Sequence, residues 1–401
     1  MRELENPIYT SLLQLVRLGI GHTETTEITD NVDWVALKAL ADRQGLSAVV
    51  LDGINTVHDS GLMVNGLSLP LQLKLEWIGE VLQNYEQRYK HYEKAISSLA
   101  RFYNQHGYKM MVLKGYACSQ DWPRPEHRPC GDIDIWLFGQ QKEADKVLAN
   151  TNFTNGTNIK IDTSHHHHTV FEWQGFTVEN HYDFVNVHAH KSSKELEVIF
   201  KELGGISNVN DNENDNNQEL ENSRIDSTSK NAKGTEIPYV KVNGEKVYLP
   251  SPNLNALFLI KHMVSHFAAA EITLRQVLDW AFFAEKHTKE IDWKWLVDVL
   301  DKYHMRDFYN CINAICVGDF GFDVKIFPNV QFDPALKDKV LADTLSPEWT
   351  TAEPRGFFKR MAYKYRRWQG NAWKQDMCYP ESRLETFFTG LWSHIISPKG
   401  A

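Results

Sequence analysis

The chain is short of several features that would fix its class at once. It has five cysteines in 401 residues, at 118, 130, 311, 316 and 378. An odd, thin scatter is no disulfide framework, so buried thiols in a reducing, cytoplasmic setting are expected. Cys311 and Cys316 have no matching second pair with which to build a zinc knuckle. Long apolar runs are missing too: Asn255 to Ile260 and Phe267 to Ala270 are short, and Lys261, His262 and His266 interrupt them. A membrane helix needs about 18 or more apolar residues, so no membrane partner is expected. The opening Met-Arg-Glu-Leu-Glu-Asn-Pro lacks the basic stretch and apolar region of a secretory signal. An excess of positive charge is absent as well. With 43 Lys and Arg against 52 Asp and Glu the net charge is -9, which argues against broad binding to nucleic acid while leaving a local basic site open.

What is present is a globular composition, 42% hydrophobic and 24% charged, which excludes a disordered, collagenous or coiled-coil chain. The length suits two or three domains. Residues 1–105 read as helical. Leu12, Leu13, Leu15 and Val16 open an apolar stripe, and Trp34, Leu37, Leu40 and Ala41 repeat it before a stop at Gly45. Further helices are expected from Leu46 to about Val57 and from Leu71 to Tyr103.

The pattern changes over 106–250. Lys109 to Leu113 and Ile133 to Phe138 read as strands, Gln141 to Asn150 as a helix, and Thr169 to Trp173 with Phe176 to Asp183 as a hairpin turning at Gln174-Gly175. A helix over Ser193 to Leu203 follows. Residues 207–233 alternate Asn with Asp and Glu, cannot be buried, and read as a mobile insertion. Asn243-Gly244 then marks a second hairpin. From 251 to 401 helices return, at 253–269, 272–287, 291–302, 304–316, 334–343, 354–369 and 381–395. The expected class is α+β, a small mixed-sheet core embedded between helical regions.

The most informative segment is Met111 to Leu137. If Ile133 and Ile135 anchor a strand, Asp132 and Asp134 share its opposite face. Two adjacent carboxylates repel when ionised, and a magnesium ion would relieve that by taking both as oxygen ligands. Gly131 permits a close approach. Lys114-Gly115 follows the preceding strand, where Lys114 can meet phosphate as a point charge. Arg128 can offer phosphate a bidentate fork. Both cations could equally pair with the aspartates. Glu179 lies on the later hairpin with His181 on its face, a third carboxylate of the sort that completes a metal site or positions a base. Asp183 is a weaker alternative.

These elements resemble the uncharacterised nucleotidyltransferase family found widely in bacteria, a branch of the DNA polymerase beta-like nucleotidyltransferase superfamily. The likeness lies in Lys114-Gly115 after a strand, a loop with prolines and Arg128, Gly131-Asp132-Ile133-Asp134 before apolar residues, and Glu179-Asn180-His181. Downstream, His262, His266, Arg275 and Asp279 match the family's histidines and its Arg-x-x-x-Asp element. The resemblance spans roughly 34 to 300, with its specific core at 109–183. It implies a magnesium- or manganese-dependent enzyme that transfers a nucleotidyl group from a nucleoside triphosphate to an acceptor, which is an RNA, a protein or a small molecule. Asp132, Asp134 and Glu179 would be the catalytic and metal-binding carboxylates. Lys114, Gly115, Arg128 and Gly131 would meet the nucleotide, and His181, His262, His266, Arg275 and Asp279 would contact phosphate or acceptor. A degenerate nucleotide- or RNA-binding regulatory module is the alternative.

Three other clusters stand out. His165 to His168 are four histidines in a row; they cannot all face one site, though His168 can face the acidic residues. His262 and His266 share a helix face without the glutamate of a zinc protease, and Arg275 and Asp279 can form an ion pair within a helix. Residues 355–374 interleave seven Lys and Arg with aromatics. Such a helix can bind nucleic acid or an acidic membrane surface, or it can pack its aromatics on the protein body with its charges in solvent.

Overall fold

The computed structural model describes residues 4, 6–24, 32–59, 69–151, 159–165, 167–188, 190–206, 237–349, 354–382 and 385. The insertion at 207–233, His166 and most of the last expected helix lie outside the described residues. Before the sheet come α1 (Pro7–Gly19), α2 (Trp34–Gln44), α3 (Ser47–Asp59), α4 (Leu71–Val81) and α5 (Arg88–Gln105). The strands are β1 (Met111–Val112), β2 (Ile133–Trp136), β3 (His168–Trp173), β4 (Phe176–His181), β5 (Tyr239–Val242) and β6 (Glu245–Tyr248). Between them lie α6 (Gly115–Ser119), α7 (Gln141–Asn150) and α8 (Lys191–Gly204). After them come α9 (Pro252–Ala269), α10 (Leu274–His287), α11 (Trp293–Lys302), α12 (Arg306–Gly318), α13 (Pro334–Leu345), α14 (Phe357–Gly370) and α15 (Ala372–Cys378). The chain is thus α+β: a mixed sheet with helical regions before and after it in sequence. Among the described residues no helix is long and apolar enough to cross a membrane.

Contacts divide the chain into two interleaved units. One takes Met1–His91, Cys118–Cys130 and Leu259–Arg383 and is helical. Its first helix starts at Pro7, where Asn6 accepts a hydrogen bond from the Ile8 amide at 3.0 Å and proline fills the first turn. Gly45, at φ 68°, ends α2 in the left-handed conformation. The α1–α3 crossing is close because Gly19 and Gly53 face it; a Cβ on Gly53 would stand 2.1 Å from the Leu15 carbonyl oxygen. Buried Gln44 ties three helices together, donating to the Thr344 carbonyl and accepting from the Leu274 amide, each at 2.8 Å.

The other unit takes Tyr92–Ala117 and Gly131–Phe258 and holds the sheet. Among the described residues six strands run in the order β3-β4-β2-β1-β6-β5. β2 pairs parallel with β4 and antiparallel with β1, which pairs parallel with β6; both hairpins are antiparallel. Gln174 and Gly175 (φ 49° and 81°) make one tight turn, and Asn243 and Gly244 (47° and 87°) the other, as expected of two-residue hairpins. Ile135 and Asn180 share one face of the sheet, where Asn180 and Thr169 both donate to Asp145 of α7. Trp136 and His181 share the opposite face. There Trp136 meets Phe184, which stacks on Phe200 of α8, and Gly204 leaves room for the indole.

Candidate functional site

Strand register assembles the site. Asp134 sits directly beside Glu179 on parallel strands, and two residues on, Trp136 sits beside His181. Asp134, Glu179 and His181 therefore project from one face, and one potential ligand atom from each lies within 4.8 Å of the others. His181 Nε2 is 3.1 Å from Asp134 Oδ1 and 3.5 Å from Glu179 Oε2. Lys114 Nζ is 2.7 Å from Asp134 Oδ1.

The Lys-Gly turn delivers that ammonium. Both of its residues have positive φ, 41° at Lys114 and 26° at Gly115. Gly115 cannot be replaced cheaply, since a Cβ there would stand 2.5 Å from the Tyr92 hydroxyl. That hydroxyl donates to the Asp132 carbonyl at 2.7 Å and so holds the start of β2. The helix after the turn, α6, is only five residues long.

The pKa values of the three carboxylates shift in different directions for local reasons. Burial would raise the Asp134 carboxyl, but the Lys114 ammonium and His181 outweigh it and hold it well below the usual range. The hydrogen bond from His181 lowers Glu179 against the effect of burial. Burial would lower His181, yet its bonds to Asp134 and Glu179 raise it. Asp132 goes the other way: burial and the neighbouring Glu179 and Asp134 charges raise it, with Lys114 opposing. Exposed Gly131 precedes it, and among the described residues no hydrogen bond or ion pair reaches the Asp132 carboxylate.

The remaining expected residues lie in the helical unit. Arg128 departs from its expected role. It is 4% exposed, and its fork closes on Asp279, with Nε and Nη2 at 2.7 and 2.9 Å from the two carboxylate oxygens. Trp122 Nε1 also donates to Asp279 at 2.9 Å. Asp279 is therefore the partner of Arg128, and the expected Arg275–Asp279 pair does not form. Arg275 is half-buried over Gly45, its guanidinium pKa lowered by burial and by the Arg128 charge. His262 is half-buried, His266 exposed, and their rings meet edge to face at 4.4 Å. All five cysteines are free and buried, and Cys311 and Cys316 sit within α12.

One neighbour went unread in the sequence. His168 pairs with His181 across the hairpin, as its alternation allows, but His167 also comes in, its ring 4.4 Å from that of His168. Burial, then the other imidazoles, pushes His167 down to about 2; burial pushes His168 down to about 4 despite Glu179. The signal lay in the sequence: a residue just before a strand stays beside the strand's first side chain.

No curated protein matches the chain. Among solved structures, an antigenic nucleotidyltransferase-like protein from Paracoccidioides brasiliensis aligns with 48% of this chain and 75% of its own, at 12% identity and a TM-score of 0.28, a likeness from which no feature carries over. The uncharacterised nucleotidyltransferase family matches at residues 30–207 and 221–318, well over half the chain and both segments that build the site. The chain belongs to that family.

Proposed function

We propose that the protein transfers a nucleotidyl group from a nucleoside triphosphate to a hydroxyl-bearing acceptor, releasing pyrophosphate, with magnesium or manganese as cofactor. The observation that carries this reading is the Asp134–Glu179 register on parallel strands, with Asp132 two residues before Asp134. The donors fit a hard divalent cation. Among the described residues the Asp132 carboxylate has no hydrogen-bond or ion-pair partner, and burial and then the Glu179 and Asp134 charges raise it, a repulsion that a cation relieves. Asp132, Asp134 and Glu179 would hold the ion, which would supply Lewis-acid polarisation of the phosphate and make the α-phosphorus more electrophilic.

The chain's own groups do the rest. Lys114 brings an ammonium to the face where the triphosphate charge gathers. Buried His181 fixes Asp134 and Glu179 through one nitrogen. Glu179, held ionised by that contact, has a second oxygen with which to take the acceptor's proton. The acceptor oxygen bonds to the α-phosphorus, the bridge to the β-phosphorus breaks, and pyrophosphate leaves. The acceptor is an RNA, a protein or a small molecule. Exposed Phe358 and Tyr365 on the basic helix α14 favour an RNA.

Asp132→Asn is the test. Wild-type protein should bind a triphosphate only with millimolar magnesium and should release pyrophosphate in cell extract. The variant should lose both while keeping its circular dichroism and melting temperature. A wild-type protein that binds no triphosphate at millimolar magnesium would sink the reading. One observation favours a second one, a binding module that has lost turnover: Lys114 and His181 already neutralise Asp134. Magnesium-dependent binding without turnover across a wide acceptor screen would select it.

A further inference from the structure

We propose that His167, His168 and His181 form a second site, in which three imidazole nitrogens hold a transition-metal ion of the zinc class. One ring nitrogen from each histidine lies within 4.8 Å of the other two. The hairpin sets this up. His168 is the antiparallel partner of His181, and the His167 carbonyl accepts from the Tyr182 and Asp183 amides, which fixes the backbone just ahead of β3. Ring centroids are 4.4 Å apart for His167–His168, 5.2 Å for His168–His181 and 5.7 Å for His167–His181.

A second observation points to a ligand. The Nδ1 atoms of His167 and His168 are buried, and among the described residues neither has a hydrogen-bond partner. Buried nitrogen without a partner is costly, and a bound ion supplies one. Zinc holds imidazole nitrogen at about 2.0–2.1 Å, so its tetrahedral donors sit roughly 3.3 Å apart, a closure that side-chain rotation supplies. Nitrogen donors select transition metals, whereas carboxylates alone suit magnesium. Both clusters include His181, so filling one alters the other. His165 stacks on His168 at 4.7 Å, but its Nε2 turns toward Asp162 at 4.0 Å and it stays outside the cluster.

Cobalt(II) titration of the tag-free, chelator-stripped full chain tests this. The expected result is a visible absorption band of tetrahedral intensity that saturates at one equivalent and persists in millimolar magnesium. His167→Ala/His168→Ala should weaken cobalt binding by at least ~100-fold, the top of the range seen when even an indirect ligand partner is removed. His165→Ala should match wild type. Where the double variant melts lower than wild type, His167→Ala alone, outside the strands, carries the comparison. Three results overturn the proposal: no band in wild type, stoichiometric displacement by magnesium, or equal weakening by His165→Ala, which would mark adsorption to a run of histidines. Asp132→Asn should keep the cobalt band even as it loses triphosphate binding, so failure of the hard-cation reading and failure of this one are told apart.

Discussion

Arg128 shows what a single side chain contributes when it is sealed from water. With Asp279 it forms a buried, two-pronged ion pair, both side chains less than a tenth exposed. Removing one partner strands the other's charge, with the Arg275 charge nearby to aggravate it. Asp279→Ala should therefore cost about 3–5 kcal/mol, read as a lower urea midpoint followed by tryptophan fluorescence. Lys294→Ala, which breaks an exposed pair with Asp298, should leave the midpoint where it is. The same contrast explains what could be read beforehand. Asp134, Glu179 and His181 obey strand alternation, so their common face is visible in the order of residues. Arg128 and Asp279 are 151 residues apart, and no local spacing encodes such a meeting; an ion pair was one reading of Arg128, but with the nearby aspartates rather than with a partner so far along the chain.

Helices and hairpins were legible wherever a period of 3.6 or 2 ran long enough to show, and both hairpin turns fell where Gln174-Gly175 and Asn243-Gly244 put them. Short elements were not. β1 keeps only two residues of the expected five-residue strand, and α6 and α15 were not anticipated, because five to seven residues span too few turns to show a period. The stretch from Leu71 stays helical to Gln105 but widens to a π-turn at Leu82–Gln87, a local change in hydrogen bonding that side-chain pattern does not record. The α1–α3 crossing gives the prediction at this scale. On Gly53 a new Cβ meets backbone, which cannot swing aside as a side chain can. Gly53→Ala should destabilise by about 1–3 kcal/mol through forced separation of the two helices, despite alanine's better helix propensity. Gly79→Ala, where a Cβ meets nothing within 4 Å, is the control and should not destabilise.

For the molecule as a whole, stability should carry a pH signature from Glu197. Its carboxylate accepts the Phe184 and Val185 amides, yet burial, aided by the Asp183 charge, pushes it up to about 8 against Lys201. An unfolded glutamate titrates near 4.3. Between those values the folded chain keeps a proton that the unfolded chain has released, so stability from this group falls as pH rises from roughly 4.3 to 8. The melting temperature of wild type should drop across pH 5–8 more steeply than that of Glu197→Gln; parallel curves would exclude the effect. Chain order has its own consequence for anyone who wants a minimal fragment of the sheet unit. Cys118–Cys130 belongs to the helical unit although it lies between two pieces of the sheet unit. A fragment trimmed to residues 92–258 would still carry Trp122, His127 and Arg128, but Asp52, Glu86 and Asp279, which bind them, would be gone. The subclone that should stay soluble is a deletion, with a short glycine-serine splice from Ala117 to Gly131 in place of the orphaned loop.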